Sequence, residues 1–533
     1  MTAKTRVALF GASGTMGFQT FKELWKRREK IDITILVLPS EQKLGLFREY
    51  EREVGLPILQ GAGVTEKNGF KIVWGDATRY DDVAETVRGV DWVLNCMAYI
   101  SPMADYHPQI AEAVNSGAIA SILKAIESEP DGAERIRYIH TGSVAETGNR
   151  PVGIHFGRIG DPLKPSIFDF YALTKISGER LVLESNIKHW VSLRMTFIMP
   201  TSWKEMASLM DAISFHMPLD ARMENITDRD AGFGMANTLD IPDDSDFWRR
   251  VYNMGGGPGM RITAYDYLSK NYESNGLRSD QCAARNWYAL RNFHMHYYED
   301  SQITNQYLHY WRDSMGSYLS LLANDMPLSL KFVAFLARRI PAFRQAAEKS
   351  AYATQQVMAE KHKNAPPYWY KAGNAPRISA FFKDQSIYEA IPAWGVDMPN
   401  LDPDAAWKRL EHGYDESKPV LALSDLQAAA SFRGGECKSD TWDGDLYTVL
   451  QWRCASGHEF SARPFTVLKA GHWCPDCVCA WNFDEQARKN PFFAQVWYAD
   501  HDQDENNNYS PSLILDIQNA DRDWDAYLKN KKA

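Results

Sequence analysis

RVALFGASGTMG, residues 6–17, decides how this chain is read. Arg6–Phe10 is a short apolar run that ends in glycine, and a helix-like stretch, Phe18–Lys30, follows. Gly11, Gly14 and Gly17 punctuate the junction. Glycines permit a tight strand-to-helix turn and let backbone come close to a pyrophosphate. The helix N-terminus then offers free N–H groups and positive potential. A three-glycine loop alone is often an ordinary turn. At a first strand–helix junction it reads as a dinucleotide loop, with Gly11, Ser13, Gly14, Thr15, Met16 and Gly17 as candidate cofactor contacts.

Outward from this loop the first 200 residues alternate. Ile33–Leu38, Lys71–Trp74, Trp92–Asn95, Arg137–Thr141 and Val191–Met195 are apolar, strand-like runs. Ile110–Ser128 and Tyr171–Glu184 carry apolar residues at helical spacing. Strands alternating with helices predict an α/β chain built on a doubly wound parallel sheet of the Rossmann type over residues 1–200. Residues 201–430 are aromatic and mainly helical in pattern, densest in rings over Arg285–Tyr318, and are expected to form a substrate-binding region. Residues 431–533 hold most of the cysteines and end in a polar stretch, DHDQDENNNYSP, that reads as a loop.

The 533 residues are 45% hydrophobic and 24% charged, enough for a full core and unlike a disordered chain. A net charge of −9 disfavours a dedicated nucleic-acid binder. The start lacks a signal-peptide pattern, and no run is long enough for a membrane span, so a cytoplasmic protein is expected. The nearest candidate, Leu328–Arg344, is broken by Lys331, Arg338 and Arg339. The favoured expectation is a buried amphipathic helix; the alternative is a helix lying flat on a membrane.

Tyr171 and Lys175 stand at i and i+4 on a predicted helix and share a face. An ammonium beside a phenol favours the phenolate, so Tyr171 can serve as acid or base near neutral pH. Ser143 lies just past the strand Arg137–Thr141, where a hydroxyl can stabilise a developing oxyanion. In this order the motifs resemble the extended short-chain dehydrogenase/reductase family, of the NAD-dependent epimerase/dehydratase type, over residues 4–260. The resemblance rests on the glycine loop, Gly75-Asp76, Asn95–Ala98, Val114–Gly117, Ser143, Tyr171 with Lys175, Ser192–Arg194 and Tyr252–Gly256. It implies a Ser143–Tyr171–Lys175 catalytic set supported by Asn115. It also implies cofactor contacts at Asp76, Ala77, Asn95 and Ala98.

Three departures shape the expectation. The second strand ends Val37-Leu38-Pro39-Ser40, without the acid that holds the ribose 2′-hydroxyl of NAD. Ser40 and Lys43 nearby favour NADP weakly. Val144-Ala145 stands where sugar-nucleotide dehydratases carry an Asp-Glu pair, so that chemistry is not expected. The segment after Met195 lacks the usual Tyr-Gly-Pro, which argues against a nucleotide-sugar substrate. His140, His216 and His294 are read as satisfied structural residues, and Phe197 and Met217 as candidate cavity wall or core.

Cys437, Cys454, Cys474, Cys477 and Cys479 crowd the C-terminal hundred residues, with a Cys-x-x-Cys among them. Such spacing in a reducing compartment points to one structural zinc held by Cys437, Cys454, Cys474 and Cys477. His458 is the main alternative ligand and Cys479 a weaker one. The segment resembles treble-clef or ribbon-type zinc modules. Its 11 basic and 16 acidic residues over 430–533 favour a structural or interaction role over nucleic-acid binding. The chain is expected to be an NAD(P)-dependent oxidoreductase acting at a carbonyl or carbinol of a partly apolar small molecule, as a monomer or homo-oligomer. The alternatives are an epimerase using the same cofactor transiently, and a non-catalytic NAD(P)-binding sensor or scaffold.

Overall fold

In the computed structural model, which describes residues 4–509, the alternating pattern forms one eight-stranded sheet. Its strands are β1 (Thr5–Phe10), β2 (Ile31–Val37), β3 (Gly63–Lys67), β4 (Phe70–Trp74), β5 (Trp92–Asn95), β6 (Arg137–Ser143), β7 (His189–Met195) and β8 (Arg250–Met254). The order across the sheet is β8-β7-β6-β5-β1-β2-β4-β3. All neighbours are parallel except the β3–β4 pair. The chain winds one way from β1 and the other way from β5, so a crevice opens beyond the carboxyl ends of these two strands.

Both faces of the sheet are covered. Val7 and Leu9 of β1 pack with Ile33, Ile35, Phe21 and Leu24 on one side. Ala8 and Phe10 pack with Val93, Tyr138, Ile122 and Ile126 on the other. Burial on both faces is why these strands read as continuous apolar runs. Helix α1 (Thr15–Lys26) lies on the first side. Helices α2 (Tyr80–Val87), α3 (Ala118–Ser128) and α4 (Phe170–Leu183) lie on the second.

Ile110–Ser128 is helical as expected, with one wider turn at Ala113–Gly117. The structure departs from expectation in two places. Strand β8 lies past residue 200, so the sheet draws on the following region. The expected buried helix is not buried. Helices α5 (Met315–Asp325) and α6 (Leu328–Arg339) meet at a bend of 113°, and α7 (Pro341–Lys361) follows. Of α6 only Ala334 and Ala337 are buried, because its small residues face the protein and its large ones face out. No single helix among the described residues is long and apolar enough to cross a membrane.

Near the C-terminus β9 (Glu436–Cys437), β10 (Leu450–Arg453) and β11 (Glu459–Ala462) form an antiparallel sheet. This module is clamped to α4. Arg180 donates to the Trp473 carbonyl at 2.9 Å, and Arg463 to the Ser185 carbonyl at 2.7 Å. Residues 510–533, including the end of the polar stretch, lie outside the described residues.

Candidate active site and metal centre

The glycine loop lies at the edge of the crevice, between the end of β1 and the start of α1. Gly11 has φ +78°, and a Cβ there would meet the Met97 nitrogen at 2.7 Å, so only glycine lets the β1 loop pass the end of β5. Gly14 donates to the Gly11 carbonyl at 3.0 Å. Helix α1 then begins at Thr15 with no acid in its first turn, which leaves its amides open to an anion. Ser13, Met16 and Gly17 complete this turn, with Met16 and Gly17 buried. The Thr15 hydroxyl donates to Glu205, a carboxylate that no motif pointed to.

Asn95 holds the facing segment. It accepts from Met97 N at 3.1 Å and donates to the Tyr138 hydroxyl at 3.3 Å, which fixes the chain through Ala98. Asp76 follows β4 and accepts from Thr78 N at 2.9 Å, with Ala77 packed on the core beside it. Ser40, past β2, caps a short helix by accepting from Lys43 N at 3.4 Å. Both Ser40 and Lys43 therefore stand at the carboxyl edge of the sheet.

Strand β6 ends at Ser143. The Ser143 amide donates to Glu146 at 2.7 Å, and its Oγ accepts from Ala145 N at 3.2 Å. Ser143 also acts on Tyr171, favouring its ionised form. Tyr171, Lys175 and Glu179 occupy one face of α4, one turn apart. Burial raises the Tyr171 pKa above its ordinary value and outweighs the opposing pull of Ser143. The expected lowering by Lys175 is therefore not found: the ammonium is turned to the Thr141 carbonyl, and the phenol keeps its proton. Burial pushes Lys175 itself down to about 8, against the pull of Glu146 and Glu179. The Asn115 side chain accepts from Tyr99 N at 2.7 Å and donates to Thr174 Oγ1 at 3.0 Å, tying the loop after β5 to α4.

Behind this set lies a buried ion network. Arg194 of β7 donates to Glu179 at 3.1 Å and lies 3.3 Å from Glu146. His472 lies 2.9 Å from Glu179, and Arg194 also reaches the Ala470 carbonyl at 2.8 Å. Burial opposes ionisation of Glu179, but Arg194 and His472 outweigh it and hold the carboxyl well below its usual range. Burial and the charge of Glu179 raise Glu146. Glu146 thus braces the backbone of Ser143 rather than facing the crevice.

A cavity of about 30 Å³ opens at the start of α4, lined by Asp105, Asp169, His216, Phe293, His294 and Arg377 among others. Asp105 accepts from Phe170 N at 3.0 Å, and His294 Nδ1 lies 2.8 Å from Asp169. Burial and the neighbouring Asp169 push Asp105 up to about 8. His216 meets the Asn364 carbonyl at 2.9 Å, and burial pushes it down to about 3, so it stays neutral. His140 is buried within β6. Phe197 and Met217 pack in an apolar cluster that includes Phe293, one layer behind the wall. The wall groups from 105, 294 and 377 lay outside every motif.

A raised carboxyl makes stability depend on pH. Folded Asp105 keeps the proton that an unfolded aspartate releases near pH ~4. Its contribution is full below that pH and is lost as pH rises toward about 8. Asp105→Asn is expected to flatten this loss in thermal melts between pH 5 and 8. An unchanged pH dependence in the variant would place the titration elsewhere.

The C-terminal module gathers four donors: Cys454, His458, Cys474 and Cys477, whose ligand atoms all lie within 4.8 Å of one another. His458 Nδ1 lies 3.5 Å from Cys454 Sγ and 3.4 Å from both Cys474 Sγ and Cys477 Sγ. Cys454 and Cys477 are 3.7 Å apart. Zinc binds sulfur at about 2.3 Å and nitrogen at about 2.0–2.1 Å. A tetrahedron of those radii has S···S edges of about 3.8 Å and S···N edges of about 3.5 Å. The donors fit a zinc ion without rearrangement. Cys437 is not in the group, and neither is Cys479. The reason is local: Cys437 lies in β9 opposite Trp452, whereas the Cys454–His458 turn, with Gly457 at φ +84°, delivers the histidine to the fourth corner.

Comparison with known proteins finds no matching family and no matching curated protein. Solved structures share part of the fold. MoeE5 in complex with UDP-glucose and NAD is 15% identical, with 61% of this chain and 99% of that chain covered at a TM-score of 0.45. DesIV, a dTDP-glucose 4,6-dehydratase from Streptomyces venezuelae with NAD bound, is 14% identical, covering 60% and 96% at 0.45. ADP-L-glycero-D-manno-heptose-6-epimerase from Helicobacter pylori is 14% identical, covering 60% and 96% at 0.41.

Proposed function

We propose that the chain is an NAD(P)-dependent oxidoreductase of the short-chain dehydrogenase/reductase type, transferring hydride at a carbonyl or carbinol carbon. The observation that carries this reading is the placement of Ser143 at the end of β6 and of Tyr171 and Lys175 on one face of α4, with Lys175 bonded to the Thr141 carbonyl of β6, at the carboxyl edge of the sheet beside the glycine loop. The dinucleotide fits the crevice: Gly11 gives its backbone close approach, and the amides of α1 face the pyrophosphate position. When bound, it supplies the hydride. Tyr171, kept as a phenol by burial, gives a proton to the carbonyl oxygen in the reductive direction. Ser143 donates to the same oxygen, and Glu146 fixes the Ser143 backbone. Lys175, which holds the Thr141 carbonyl, would be the residue within the site to hold the ribose of a bound cofactor. Cys454, His458, Cys474 and Cys477 would hold one structural zinc, anchoring the segment that carries His472 to Glu179.

Asp105 and the Asp169–His294 pair supply further proton-carrying groups beside Tyr171, which favours an epimerase as the second reading. Cofactor turnover separates the two: a dehydrogenase accumulates reduced or oxidised cofactor, and an epimerase does not. With Leu38 and Pro39 in place of an acid, and Ser40 and Lys43 at the same edge, NADP is expected to bind more tightly than NAD. Fluorescence-quenching titration checks this. Tenfold tighter NAD, about 1.4 kcal/mol, would remove Lys43 as a phosphate partner.

A further inference from the structure

We propose that helix α6 is a docking face for an anionic lipid bilayer. Its outward stripe is apolar: Leu328 is 82% exposed, Phe332 61% and Phe335 47%. These residues stand at i, i+4 and i+7, so they form one continuous ridge. The inward side is made of Ala334 and Ala337. It packs against the Gly276 turn, where a Cβ would meet the Ala334 carbonyl at 2.9 Å. The helix is thus inverted relative to one that buries its large side chains in its own protein. Val333 and Ile340 extend the exposed surface. So does Met210, at 65% exposure just past the helix Trp203–Ser208, which Trp203 ties to Asp325 at the α5–α6 turn by a 2.7 Å bond. A connected apolar surface of this kind marks an interaction site.

Charge selects the occupant. Residues 325–348 contain four basic side chains, Lys331, Arg338, Arg339 and Arg344, and two acidic ones at the ends, Asp325, which accepts from Trp203 N, and Glu348, which pairs with Arg278, in a chain of net charge −9. Lys331 donates to the Asn324 carbonyl at 2.8 Å, and Arg339 lies over the Phe335 ring at 4.4 Å. Among the described residues none of the four is within ion-pair distance of a carboxylate. A twofold contact between copies would set these cations against each other. An anionic headgroup layer neutralises them while the acyl region takes Leu328, Phe332 and Phe335, the arrangement of an interfacial amphipathic helix.

Sedimentation of the full chain with vesicles tests this. One set is phosphatidylcholine alone, and the other has phosphatidylserine added. Binding to the second set is expected to exceed the first by about tenfold and to weaken with salt. Leu328→Ser/Phe332→Ser removes the two most exposed apolar groups of the ridge, so the melting temperature should change little while vesicle binding falls by about tenfold or more; Leu328→Ser/Phe332→Ser/Phe335→Ser, which also removes the ring under Arg339, should lower binding further. The proposal is overturned if the full chain ignores both vesicle sets, or if the triple variant binds as well as the parent. It is also overturned if light scattering shows a dimer that the triple variant converts to a monomer, which makes the face a contact between copies.

Discussion

Tyr171→Phe lowers turnover by about 10²–10⁴-fold, the usual contribution of a positioned proton donor. The phenol is the group next to Ser143, and burial keeps it protonated for donation in the reductive direction. Phenylalanine preserves the ring and removes only the hydroxyl. Dinucleotide affinity, set by the glycine loop and the α1 amides, therefore stays within a few-fold of the parent. Ser143→Ala is expected to act in the same direction, because it removes the second donor to the carbonyl oxygen. Steady-state rates and cofactor titration on the same preparations separate the two effects. Near-full turnover by Tyr171→Phe, on any substrate found, would exclude Tyr171 as the donor.

Loss of zinc is expected to unfold the C-terminal module. Structural zinc contributes about 10–16 kcal/mol of apparent binding free energy, and that free energy is folding free energy. Cys474→Ser removes one corner of the tetrahedron and leaves Cys454, His458 and Cys477 without a complete site. Residues 430–490 should then be cut by protease where the parent is not. The consequence extends beyond the module: His472 and the Ala470 carbonyl complete the network around Glu179 and Arg194. A buried charge that loses a partner destabilises by about 3–5 kcal/mol, so the melting temperature of the rest of the chain falls too. Metal analysis of the parent should give one zinc per chain. Much less than one equivalent from a zinc-replete preparation contradicts the assignment. His458→Ala should lower zinc affinity as Cys474→Ser does, whereas Cys437→Ser should not.

The parallel strands were legible in the sequence because a strand covered on both faces is apolar throughout. Trp92–Asn95 matched residue for residue. Strand β3 escaped because it is an edge hairpin arm with Val64 exposed, and its run Gly-Val-Thr-Glu-Lys has no apolar face to detect. The Tyr171/Lys175 spacing and the glycine loop were local patterns and could be read directly. The cavity wall could not, since Asp105, His294 and Arg377 come together only when the region beyond residue 200 folds over α4. Glu205 carries no motif for the same reason, whereas Glu146 is local: Ser143-x-x-Glu146 is a capping box that spacing could have revealed. The choice between Cys437 and His458 turned on which of two nearby positions lies in the knuckle turn and which in the neighbouring strand. Spacing alone does not distinguish them. The helix Leu328–Arg339 misled because amphipathic patterning reports that one face is apolar, not whether protein or another phase covers it.

The most direct test of the central claim is a crystal structure with NADP(H) or NAD(H) bound. The pyrophosphate is expected over the N-terminus of α1, within hydrogen-bond reach of the Gly11–Gly17 backbone. The nicotinamide ring should face the Tyr171 hydroxyl, and Lys175 should have left the Thr141 carbonyl for the ribose. A cofactor bound elsewhere, or a nicotinamide directed away from Tyr171 with Lys175 still on Thr141, contradicts the account.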